Sequence, residues 1–116
     1  MNKDERYTNF IDIAVKNKLV WLLEADEGMF AMFEDNNGQE YVPVWPDEKE
    51  TGIHIKDDWC NYIPVSLKLY EFNSWLKELA NDKIMIAVWP DDTMQTIPMQ
   101  PLDLKKHIEE ELKTGN

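Results

Sequence analysis

Few residues in this 116-residue chain carry the side chains that reaction chemistry draws on. There is one cysteine, Cys60, and there are two histidines, His54 and His107. Nucleophilic catalysis needs Cys60 or a serine beside a base. Cys60 stands between Trp59 and Asn61 with Tyr62 close behind, which are the surroundings of an inert, partly buried thiol. His107 has Asp103 four residues before it and Glu111 four after, so carboxylates flank it on one helix face as in a solvated charge ladder. One Cys and two distant His do not close a zinc site. Asp35-Asn36-Asn37-Gly38 places its glycine too early for a calcium loop and reads as a hairpin turn. No Gly-rich phosphate loop, nucleophile elbow or dinucleotide fingerprint occurs. No catalytic residue, metal or cofactor is therefore expected. The acid pairs Asp57-Asp58 and Asp91-Asp92 would do general acid–base work, alone or with Mg2+, only where folding brings two of them into one cleft.

A second pattern is more specific. Val-Trp-Pro-Asp occurs at residues 44–47 and again at 88–91. At the same offset MFAMF (29–33) falls opposite NSWLK (73–77), so the repeat is local and marks no duplicated module. In both copies an apolar run meets proline, which lacks a ladder donor and is expected to keep the preceding tryptophan extended. Two strands that stop in the same way are the expectation, with Trp45 and Trp89 packed in the core. If those strands are neighbours, both corners leave the sheet at one end. Asp47, Glu48, Asp91 and Asp92 would then rim two indoles and suit a Lys or Arg side chain of a partner.

The elements that must position these residues follow from periodicity. Tyr7, Phe10, Ile11, Ala14 and Val15 share one face of a helix over about 3–17, with Asn2 as its cap and Glu5 reaching back. Apolar runs separated by DEG and DNNG predict an antiparallel meander with strands near 19–24, 29–34 and 40–45. Pro43 places the third strand at an edge or turns its nitrogen to solvent. The stretch 46–64 is the least legible, with a short helix starting at Pro46 and weakened at Gly52. Phe72, Trp75, Leu76, Leu79 and Ala80 predict a helix over about 70–81, and Ile84–Trp89, apolar on both faces, a central strand. A short strand at 96–99 and a helix opened by Pro101, with Leu104, Ile108 and Leu112 inward and Gly115 past its end, complete the chain. The expected fold is a single compact α+β domain over 1–116, a mostly antiparallel sheet with helices at both termini and one in the middle.

The formal charge of −11 is uneven, since residues 24–58 hold 11 acids and two bases. That balance argues against nucleic-acid phosphates and anionic membranes as partners. The absence of a signal-length apolar stretch and the lone cysteine point to the cytoplasm. Oligomeric state is left open, although Met29, Met32 and Met85 are as able to face a second subunit as a helix.

Trp21, Gly28, the run from Glu40 to Pro46, Trp59, Ser66-Leu67 with Phe72 and Trp75-Leu76, then Ile86 to Pro90 and Pro101 make the chain similar to the small bacterial family filed as domain of unknown function 2750. The resemblance spans nearly the whole chain and implies a stand-alone, compact, bacterial cytoplasmic protein with no assigned activity. It supplies no catalytic residues.

The functional expectation is a small acidic, non-enzymatic module that engages a basic protein through Trp45, Asp47, Glu48, Trp89, Asp91 and Asp92. The alternative is a small hydrolase working through paired carboxylates. Mimicry of a nucleic acid by the acidic face is a third reading, and one sequence does not show the carboxylate spacing it requires.

Overall fold

The structure, a computed structural model, describes residues 2–114. Gly115, expected just past the last helix, lies outside them. Helix α1 (Lys3–Asn17) starts where Asn2 accepts a hydrogen bond from the Glu5 N–H at 2.8 Å, while the Asn2 side chain donates to the Glu5 carboxylate at 3.1 Å. The first satisfies a backbone N–H that the helix start leaves open, and the second ties the capping side chain to Glu5. Its stripe of Phe10, Ile11, Ala14 and Val15 is buried. Lys18 ends it in the left-handed region, and its ammonium donates to the Val15 carbonyl.

Strand β1 (Leu19–Glu24) does not open a three-strand meander. Its antiparallel partner is β4 (Ile63–Lys68), a strand absent from the sequence reading. The second sheet has the order β2 (Phe33–Glu34), β3 (Glu40–Val44), β5 (Met85–Val88), β6 (Ile97–Met99). The expected strand at 29–34 shrinks to two residues, because the segment before it turns to β1: Ala31 N–H donates to the Leu23 carbonyl. The two sheets are stitched by Trp21 and Trp45, which exchange backbone hydrogen bonds of 3.0 and 2.9 Å. The architecture is thus mixed α+β and mostly antiparallel, with the meander replaced by a β1–β4 ribbon and a four-stranded sheet.

Pro43 is neither on an edge strand nor exposed; it is buried opposite Ala87. Hydrogen-bonding directions alternate along a strand. Trp45 N–H points to β1, so Pro43, two residues earlier, points its nitrogen the same way, into the interval between the end of β2 pairing and the Trp21 contact. No donor is required there.

The short helix predicted at Pro46 begins two residues later as α2 (Glu48–Thr51), capped by Asp47, whose carboxylate accepts from Glu50 N–H at 3.0 Å. Gly52 does not stop the winding but carries it into a 3-10 turn, Gly52–His54, followed by a second at Asp57–Trp59. Helices α3 (Leu69–Asn81) and α4 (Pro101–Thr114) fall where their periodicity places them. Helix α4 packs against both α1 and α3. Phe10, Phe72, Leu76, Leu104 and Ile108 are fully buried in the core that the helices share with the sheets, each contributing about 1.5–3 kcal/mol by leaving water.

Candidate functional site

Strands β3 and β5 are parallel neighbours in register, Val44 beside Val88. Both Val-Trp-Pro-Asp corners therefore leave the sheet at the same end, and Trp89 N–H continues the pairing by donating to the Val44 carbonyl at 2.8 Å. The corners are not alike. Trp45 stays in strand pairing with Trp21, whereas Trp89 has a φ of 48°, in the left-handed region. The expectation that proline keeps both tryptophans extended is corrected for Trp89. Proline disfavours the right-handed helical conformation before it and leaves the left-handed one accessible, at about 1–2 kcal/mol. Here two hydrogen bonds hold that conformation: the one to Val44, and another from Arg6 Nε to the Trp89 carbonyl at 3.0 Å.

Neither indole forms an open floor. Trp45 is 0% exposed and Trp89 7%. The chain's own Arg6 guanidinium lies 4.3 Å from the Trp89 ring centroid. Between the corners sits His54. Its ring packs 5.3 Å from that of Trp45, and its Nε2 lies 3.1 Å from the Pro90 carbonyl. A carbonyl only accepts, so Nε2 carries the proton and Nδ1 the lone pair. Burial pushes the His54 pKa below its ordinary 6.5 and keeps the ring neutral, against the opposing pull of that hydrogen bond.

The rim acids also have internal duties. Asp47 caps α2. Asp91 Oδ1 accepts from Thr93 Oγ1 at 2.7 Å, from Thr93 N–H at 2.8 Å and from Gln95 N–H at 2.9 Å, which holds its pKa below the usual 3.8. Asp35 does the same in the hairpin between β2 and β3, accepting from Asn37 N–H at 2.9 Å and Gln39 N–H at 3.0 Å. Each of these two loops is closed by an i to i+4 backbone bond, Asp35 to Gln39 and Asp91 to Gln95. They are one loop used twice, with Gly38 at φ 84° in the first and Met94 at φ 64° in the second. Glu48 is exposed in α2, and Asp92 is exposed on the second loop.

Asp92 opens onto a groove of about 630 Å3 beside the corners. One wall is β2 with Phe33 and Glu34, a second is the segment from His54 to Trp59, and the third is the loop of Asp92, Thr93 and Met94. Two aromatic rings line it, Phe33 and Trp59, 6.4 Å apart, and each is backed by a ring outside the groove: Tyr41 stacks on Phe33 at 5.3 Å and 14°, and Tyr62 lies 6.5 Å from Trp59. Four exposed carboxylates, Glu34, Asp57, Asp58 and Asp92, face it against one Lys56. Asp57, at φ 52°, and Met94 are both held in a conformation that L-residues resist. The groove gathers one residue of the expected site, Asp92, with residues the sequence reading placed elsewhere: Asp57 and Asp58 were read as an acid pair, and Trp59 as a neighbour of Cys60. An acid pair next to an aromatic residue was the signal available for it. Phe33 and Glu34 had none.

Cys60, expected to be partly buried, is exposed. His107 meets a partner that helical spacing does not reveal, Tyr7 of α1, whose hydroxyl lies 2.6 Å from Nδ1. Burial, with Asp103 adding to it, pushes the Tyr7 pKa up to about 12. Among the described residues no group of three or more His, Cys, Asp or Glu side chains is placed to hold a metal ion, and no helix is long and apolar enough to cross a membrane.

The family model for the protein of unknown function DUF2750 matches residues 7–108. The chain belongs to this family. No curated protein matches it. Among solved structures it is similar to Anabaena Tic22, a protein described under protein transport, at 14% identity and a TM-score of 0.49, with the whole chain covering 55% of that protein. The chain thus spans about half the length of that structure.

Proposed function

We propose that this DUF2750 member is a non-enzymatic module that binds a basic segment of a partner protein in the groove between β2, the 54–59 segment and the 92–94 loop. The observation that carries the reading is the convergence of Glu34, Asp57, Asp58 and Asp92, from three separate stretches of chain, around the half-buried rings of Phe33 and Trp59. A guanidinium or ammonium over an indole face gains about 0.5–2 kcal/mol, and the surrounding carboxylates add charge-assisted hydrogen bonds. Of the six corner residues, Asp92 would touch the partner directly. Trp45 would back the groove through His54, while Trp89, Asp47 and Asp91 fix the corners, and Glu48 adds to the acidic field that steers association.

Calorimetric titration with an Arg- and Lys-rich peptide at low and high salt tests the reading. Binding is expected to weaken with salt and to fall at least about tenfold when Asp57, Asp58 and Asp92 are replaced by Asn together. Peptide affinity that ignores the triple variant and Trp59→Ala would refute it. A paired-acid hydrolase would use the same carboxylates, and the placement of Asp57, Asp58 and Asp92 in one groove is the observation in its favour. Turnover of a substrate that the triple variant abolishes would decide for it.

A further inference from the structure

His54 belongs to two walls of the acidic groove at once. It lines the groove from the 54–59 segment, and its Nε2 donates the 3.1 Å hydrogen bond to the carbonyl of Pro90, the residue that leads into Asp91 and Asp92 of the loop wall. The Trp45 ring packs against it, and with 4% of the residue exposed the imidazole has little room to leave this place.

Nε2 is committed to the Pro90 carbonyl, so a second proton enters at Nδ1 and leaves the tie between the walls intact. What changes is charge. A fixed positive charge appears in the lining of a groove whose carboxylates, Glu34, Asp57, Asp58 and Asp92, suit a cation. Burial acts most strongly on the charged ring and opposes it; Lys56 adds to that opposition, while the Pro90 hydrogen bond, Asp91 of the second corner and Glu50 of α2 favour the imidazolium. Arg6, the cation of the second corner, is spent on the Trp89 ring and carbonyl. Lys56 is itself a groove residue, so the field of a cation in the groove reaches the His54 ring.

From this geometry we infer that His54 makes the groove proton-sensitive: a cation seated among Glu34, Asp57, Asp58 and Asp92 and a proton on the His54 ring oppose one another. The inference rests on the groove being the cation site proposed above. A basic segment is then held in neutral surroundings and released on acidification. Because one coupling joins the two events, the bound cation lowers the ring's affinity for a proton by the factor by which the proton lowers affinity for the cation.

The test follows the ring signals of His54 and His107 by NMR through a pH titration of the full chain, free and saturated with an end-blocked arginine hexapeptide, which does not titrate in this range. The peptide is expected to lower the His54 midpoint by about one pH unit and to bind about tenfold more weakly once pH has fallen through the midpoint of the free protein. His107, which lines no part of the groove, is expected to stay unmoved. His54→Gln keeps a donor for the Pro90 carbonyl and takes up no proton. Calorimetry is expected to give this variant the same affinity on both sides of that midpoint. A His54 signal that never titrates in the folded protein, a midpoint that the peptide leaves unmoved, or a loss of affinity that survives His54→Gln overturns the inference. Salt-dependent binding through Asp57, Asp58 and Asp92 would in those cases leave the groove assignment standing. Absence of peptide binding at every pH overturns both.

Discussion

The Arg6 guanidinium lies 4.3 Å from the centroid of the Trp89 indole while its Nε donates a 3.0 Å hydrogen bond to the carbonyl of the same residue. One side chain of α1 thus clamps both the ring and the backbone of the second corner, at the point where Trp89 is held at positive φ. A cation of the same chain thus sits over the Trp89 indole. The contact joins the first helix to the last corner of the sheet.

Replacing Arg6 by Met, which keeps the aliphatic stem, is expected to destabilise the protein by about 2 kcal/mol through loss of the cation–π contact and the charge-assisted hydrogen bond. Urea unfolding measures it. Lysine is expected to recover only part of the loss, because an ammonium does not serve the ring face and the carbonyl with one planar group. A midpoint for Arg6→Met equal to the wild type would refute the clamp.

The twin loops make a prediction about a single residue. Met94 occupies, at φ 64°, the place that Gly38 occupies in the first loop. Met94→Gly is expected to stabilise the protein by about 0.5–1 kcal/mol, the left-handed strain relieved less the entropy glycine adds to the unfolded chain. Gly38→Ala is expected to destabilise by a similar amount. Thermal or chemical unfolding of the two variants checks the opposite signs.

Asp35 and Asp91 both have pKa values held below 3.8, Asp35 chiefly by the Gln39 N–H and Asp91 chiefly by the Thr93 hydroxyl. A carboxyl whose folded pKa is depressed contributes stability that is present above 3.8 and is lost as pH falls through the folded value. The Asp35→Asn, Asp91→Asn double variant keeps an acceptor oxygen in each loop but has no such titration. Its stability is expected to fall less steeply than that of the wild type as pH drops below about 4. Parallel unfolding curves in that range would refute it.

His54 gives a separate window. Its folded pKa lies below 6.5, so the unfolded chain takes up a proton first, and stability declines as pH falls from 6.5 toward the folded value. Lys56, Asp91 and Glu50 are the charged groups that act on the ring, and of these Lys56 reinforces the shift. His54→Gln retains a donor for the Pro90 carbonyl and does not titrate. It is expected to remove the slope that sets in as pH falls below 6.5, as read from denaturation midpoints at several pH values.

The helices were legible because their order is local: a face defined by Phe72, Leu76 and Leu79 is written within eight residues, and it is the face that is buried. Strand β4 was not, for two reasons. Its residues alternate only between exposed and half-buried, which weakens the period-two signal, and its partner β1 is paired from Leu19↔Lys68 to Glu24↔Ile63, across the whole first half of the sheet-forming chain. The neighbourhood of β3 and β5 was readable only through the repeated tetrapeptide, since two strands that end alike at the same level of a sheet need the same stop. That His54 would lie between the corners was not readable, because one of its contacts, Pro90, comes 36 residues later. The aromatic lining was hidden for a similar reason: Phe33 and Trp59 meet only after β2 has paired with β3 and the 3-10 turns have formed.

Most of the acidic groove is built from the excursion between β1 and β4, which holds β2 and both 3-10 turns, and the remaining wall hangs between β5 and β6. Glu34, Asp58 and Asp92 are solvent-facing residues on these excursions, where exchange of one side chain for another typically shifts folding free energy by no more than about 0.5 kcal/mol, whereas Asp57 is tied to its positive φ. What the groove prefers to hold can therefore be rewritten, one carboxylate at a time, without disturbing the scaffold that displays it.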